Sequence, residues 1–92
     1  MLVRPHTLWR RVRCGTVYRI VASARAAAKP RQTLVVYEQM HPSRCERTGA
    51  LFATGTTWVR AEREFLCADA RGVPRFQRVR TPLLLLADDD TE

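Results

Sequence analysis

A chain of 92 residues has room for one hydrophobic core and none for a catalytic domain beside a second domain. Its net charge of +7 is carried almost wholly by arginine, since Lys29 is the only lysine among 16 basic residues. At this size about two thirds of the unfolded surface is buried on folding, which argues against a deep enclosed active site and for a shallow binding surface.

No acid precedes Glu38, and residues 1–13 read as a basic extension ahead of a domain that spans residues 14–80. Residues 16–22 are β-branched and aromatic and predict a strand bounded by Gly15. Residues 23–31 are alanine-rich. Their propensity is helical, but nine residues closed by Pro30 make a marginal helix, and a loop or a strand extension fits equally. Residues 33–40 are the clearest strand. Leu34, Val36, Glu38 and Met40 fall on one face, with Val35 and Tyr37 on the other. Apolar residues on both faces predict burial on both, as in a small closed barrel.

Residues 41–55 carry Pro42, Ser43, Gly49 and Gly55 and read as a long loop. Residues 56–60 predict a short strand, and residues 61–66 a turn or short helix anchored by Phe65. The stretch from Asp69 to Gly72 is a turn signal, and residues 74–80 form a last strand with Pro74 at its first position. Residues 81–92 form an acidic C-terminal tail whose apolar run, residues 83–86, is expected to fold back on the domain. The expected core is Val17 or Tyr18, Ile20, Val36, Trp58, Val59, Phe65 and Phe76. About five short strands with turns roughly every ten residues predict a mainly β barrel or roll.

Signatures of enzymes are absent: there is no glycine-rich phosphate loop, no His-Glu-x-x-His and no Gly-x-Ser-x-Gly. Cys14, Cys45 and Cys67 are odd in number and far apart, which favours free thiols in a cytoplasmic protein over a disulfide framework or a metal site. His41 with Cys45 supplies two metal ligands where a tetrahedral site needs four, and no cofactor is expected. The longest apolar run, residues 83–87, is far shorter than the roughly 20 residues of a membrane helix. No membrane association is expected, and a monomer is.

The strand motifs Val17-Tyr18-Arg19-Ile20, Leu34-Val35-Val36-Tyr37-Glu38, Trp58-Val59-Arg60 with Phe65-Leu66, and Val73-Pro74-Arg75-Phe76 occur in this order, with Gly72 before the last. This ordered set resembles the bacterial domain-of-unknown-function 1653 family over residues 15–79. The resemblance implies an SH3-like barrel and no particular activity. The chain departs from the family at Ala61, where members typically have proline, and at Ala26, Ala27 and Ala28, where many carry a His-Ser/Thr-Glu stretch. The loop between Tyr37 and Trp58 is also longer than in compact members.

Tyr37, Trp58, Arg60 and Arg75 are the candidate ligand-binding residues, because aromatic rings beside arginine suit a peptide, a base or a phosphorylated group. The competing reading places Tyr37 and Trp58 in the core. Arg19, Arg78 and Arg80 are the candidate nucleic-acid surface. A noncatalytic module for a protein or peptide is the first expectation. Association with nucleic acid or the ribosome is the second, and a small ligand near Tyr37, Trp58 and Arg60 the third.

Overall fold

A computed structural model describes residues 3–45 and 47–80 of the chain. The acidic tail, with its expected fold-back, lies outside the described residues. Among the described residues, seven strands and one short helix follow in order: β1 (Leu8–Arg11), β2 (Val17–Ala26), β3 (Lys29–Gln39), β4 (Ser43–Arg44), β5 (Leu51–Phe52), β6 (Thr57–Ala61), α1 (Glu62–Leu66) and β7 (Phe76–Val79). Five strands form one antiparallel sheet in the order β6-β3-β2-β1-β7, while β4 and β5 pair as a separate small hairpin.

Alternation along the strands gives the sheet two faces. On β2, Tyr18 and Ile20 point inward, while Val17 and Arg19 point outward. Cross-strand partners share a face, so Trp9, Tyr18, Ile20, Val35, Tyr37, Trp58 and Phe76 line the inner one. There Val3, Tyr18, Ile20, Val35, Tyr37, Phe65 and Phe76 form the buried cluster, with Trp9 and Trp58 packed at its margin. The rings meet mostly edge to face, but Phe65 stacks flat on Phe76 with centroids 4.0 Å apart.

The mainly β fold expected from the strand pattern is present, but the sheet is not closed into a barrel. Its edges are β6 and β7. The physical reason is α1, which follows β6 directly and lays Phe65 against rings of β1, β3 and β7. One helix-borne ring covers the inner face, and the two edges do not need to meet.

Three local expectations need correction. Residues 3–13 pack into the domain rather than standing ahead of it. Val3 is wholly buried, its N–H donates to Glu62 Oε2 at 3.0 Å, and β1 lies inside the sheet between β2 and β7. The face of β3 buried against the rings carries Val35, Tyr37 and Gln39, whereas Val36 is half-buried on the outer face. Val59, the partner of Val36, is 59% exposed because nothing among the described residues covers that face beside it. Of the alternatives open for the alanine stretch, the strand extension is the one adopted: the stretch continues β2 and turns into β3 at Ala27 and Ala28, since cross-strand hydrogen bonds outweigh a weak local helical preference.

Residues 41–55 do connect β3 to β6 as expected, but they contain the β4–β5 hairpin. All three cysteines are free thiols. Among the described residues, no helix is long and apolar enough to cross a membrane.

Candidate functional site

Beside the ring cluster, the inner face opens into a groove of about 600 Å³. Tyr18 and Tyr37 form its floor, and Trp58 and Phe52 form an aromatic wall. Five arginines, Arg11, Arg13, Arg44, Arg47 and Arg60, also line it, Arg60 with its Nη1 4.0 Å from Glu64 Oε1. Among the described residues, no aspartate or glutamate lines it.

Each side comes from a different part of the chain. Arg11 ends β1. The following turn closes with Gly15 N–H on Arg11 O at 2.7 Å, and its positive φ of 80° is a conformation that glycine takes without strain. That turn carries Arg13 and Cys14 to the mouth. Across the groove, the β4–β5 hairpin folds on itself through Gly49 N–H to Cys45 O at 2.7 Å and Cys45 N–H to Ala50 O at 2.8 Å. Arg44 caps this hairpin by donating to Gly49 O at 3.0 Å, and Arg47 projects from its tip.

Gln39 holds the two halves together. Its side chain is 1% exposed, and its carbonyl accepts the Trp58 indole N–H at 2.9 Å. Its amide nitrogen donates to His41 O at 3.1 Å and Phe52 O at 3.3 Å. A buried amide with all these bonds made fixes the Trp58 ring, the hairpin and the chain after β3 in one arrangement. Phe52 then packs on the Trp58 ring edge to face at 4.9 Å. Arg60 donates from Nε to Tyr37 Oη at 3.3 Å and lies over the Phe76 ring, with Cζ 5.9 Å from its centroid.

Two groups in the groove titrate away from their ordinary values. Burial pushes the Tyr18 phenol up, helped by Cys14 and Tyr37, against smaller opposing effects of Arg11 and Thr16. Hydrogen bonds from the Thr48 side chain and from the Thr48 and Arg47 backbone, with the Arg47 charge, hold the Cys45 thiol down. The folded chain keeps the Tyr18 proton more tightly than the unfolded chain does. Its contribution to stability is therefore complete below about pH 10 and is lost as pH climbs through the higher folded value. Chemical denaturation across pH 9 to 12 should show this decline steepen in wild type relative to Tyr18→Phe. Parallel curves for the two proteins would refute it.

Of the residues singled out in the sequence, Tyr37, Trp58 and Arg60 converge in this groove. The others do not line it. Arg19 sits on the outer face, ion-paired with Glu38 of the neighbouring strand. Arg75 lies against Cys67, with NH2 3.8 Å from Sγ and with a buried Nε. Arg78 is exposed on edge strand β7, and Arg80 is exposed just beyond it. His41 is held by backbone on both ring nitrogens, accepting Val17 N–H at Nε2 and meeting Pro42 O at Nδ1. The residues that sequence reasoning missed are Gln39, Phe52 and four rim arginines. An arginine count in the two turns was the available signal for the rim. Comparison of the chain with protein-family models, with curated proteins and with solved structures returns no match.

Proposed function

We propose that this chain is a noncatalytic module that binds single-stranded nucleic acid in the arginine-rimmed groove. The observation that carries the reading is five arginines lining a groove with aromatic walls, with no carboxylate among the described lining residues. Phosphates pair with a planar guanidinium through two bonds, and every base has a face that stacks on an aromatic ring. Trp58 and Phe52 are half-exposed and available for stacking, whereas Tyr18 and Tyr37 are buried and form the floor. A peptide-binding groove with the same aromatics needs no such rim, so the protein-ligand reading takes second place. Membership of the domain-of-unknown-function 1653 family is likewise a proposal. It rests on the four motifs, which fall on β2, β3, β6 with α1, and the start of β7.

The test is fluorescence anisotropy with a labelled oligouridylate against an acidic peptide of matched charge. The oligonucleotide should bind more tightly than the peptide. The log of its affinity should fall with log salt at a slope of about −0.7 for each phosphate held, or about −2 to −3.5 for three to five contacts. Tighter binding of the peptide would hand the groove to a protein partner. No binding of the oligonucleotide at low salt would leave the arginines as a solubilising coat.

A further inference from the structure

Further along the same strands lies a second basic depression, of about 470 Å³, lined by Lys29, Arg31, Gln32, Thr33, Glu62 and Arg63. We infer that this depression is a second phosphate-binding site, and that it extends the footprint of a single strand already held in the aromatic groove. The inference rests on the nucleic-acid reading of that groove.

Three observations carry it. The first is a local irregularity in β3. Arg25 of β2 pairs with Thr33 and Ala26 pairs with Lys29, so residues 30–32 bulge from the ladder. Such a bulge re-aims side chains away from the regular pleat. Here it is held by Arg25, which donates to Pro30 O at 2.9 Å, and Arg31 and Gln32 line the depression. The second is the charge. Lys29, Arg31 and Arg63 are exposed basic residues. The single acid of the depression, Glu62, has Oε2 turned to the Val3 N–H at 3.0 Å.

The third is continuity. Strand β6 places Trp58 and Arg60 in the groove and ends at Ala61, where Glu62 and Arg63 follow into the depression. Four residues of extended chain separate Trp58 from Glu62, about 13 Å at strand rise. A strand that stacks a base on Trp58 therefore has its backbone carried toward Arg63 and Arg31 within a few nucleotides. The aromatic groove would take bases and the depression phosphate alone, since no aromatic ring lines it.

The experiment compares labelled oligouridylates of about four and about ten nucleotides, lengths at the short end of and within the range that small β domains engage. The full chain is tested as wild type, as Arg31→Ala/Arg63→Ala, and as the equal-charge control Arg4→Ala/Arg71→Ala. All four substituted residues are exposed, and circular dichroism verifies that each variant is folded. The Arg31→Ala/Arg63→Ala variant should bind the longer oligomer about tenfold more weakly and the shorter one within about twofold of wild type. Its salt slope on the longer oligomer should shrink by about 1.4, two contacts at about 0.7 each. The control should leave both affinities near wild type. An unchanged longer-oligomer affinity in Arg31→Ala/Arg63→Ala overturns the second site and leaves the groove standing. An equal loss in the control also overturns it, because diffuse charge then explains the effect. If wild type binds neither oligomer at low salt, the groove reading falls and the second site falls with it.

Discussion

Replacing Phe76 with alanine should destabilise the protein by about 3–5 kcal/mol, the range for removing a buried aromatic ring from a core. Phe76 is 4% exposed, at the first position of β7. It stacks on Phe65 at 4.0 Å, meets Tyr18 and Tyr37 at 5.8 Å each, and carries the Arg60 guanidinium on its face. Its removal therefore leaves a cavity bordered by rings that cannot all shift to fill it. Small domains have total stabilities of about 5–15 kcal/mol, so such a loss brings this chain close to unfolding at ordinary temperature. Urea titration followed by tryptophan fluorescence gives the number. A loss below about 1 kcal/mol in a folded variant would place Phe76 at the periphery of the core. The same ring supports the groove floor through both tyrosines, so a folded Phe76→Ala chain should also bind oligonucleotide more weakly.

The largest functional effect should come from reversing two rim charges. Arg44→Glu/Arg47→Glu replaces two exposed guanidiniums on the β4–β5 hairpin with carboxylates. Hydrogen bonds to charged groups contribute about 1.5–3 kcal/mol each, so losing two weakens binding by roughly two to four orders of magnitude. Repulsion between the new carboxylates and phosphate adds to this at low salt. The five-stranded sheet should survive, because neither side chain is buried and the bond given up, Arg44 to Gly49 O, lies within the hairpin. The reading fails if the variant binds oligouridylate within about threefold of wild type while its thermal unfolding is unchanged.

Regular strands were legible where the alternation was clean. Val17 to Ile20, Leu34 to Glu38, and Trp58 with Arg60 were placed on strands, and Phe65 on a turn or short helix, because periodicity and turn residues agreed there. The N-terminal strand was not legible. Leu8 and Trp9 fall on opposite faces among arginines, and their burial depends on partners in β2 and β7 that sequence spacing cannot reveal. The inner face of β3 was ambiguous because both faces are apolar. Packing of α1 against the Tyr37 side decided it. The turn at Ala27 and Ala28 has no glycine, asparagine or proline to announce it. The groove is assembled from the end of β1 and the turn after it, the start of β2, the end of β3, the β4–β5 hairpin and β6, so no contiguous motif encodes it. Nothing in the sequence singled out Gln39, although three hydrogen bonds make it the hub of the site.

The Gln39 amide also divides the groove into two parts with different mechanical character. The floor belongs to the five-stranded sheet and its ring cluster, and it separates only when the whole domain unfolds. The hairpin wall has two-residue strands that pair with each other, and the Gln39 bond to Phe52 O and the Phe52 ring on Trp58 tie it to the sheet. Detachment of that wall is a local opening with its own, smaller free energy. The width of the groove is therefore set jointly by that amide bond and the Phe52–Trp58 ring contact, and a ligand thicker than a single base is admitted at the cost of those attachments rather than of the fold.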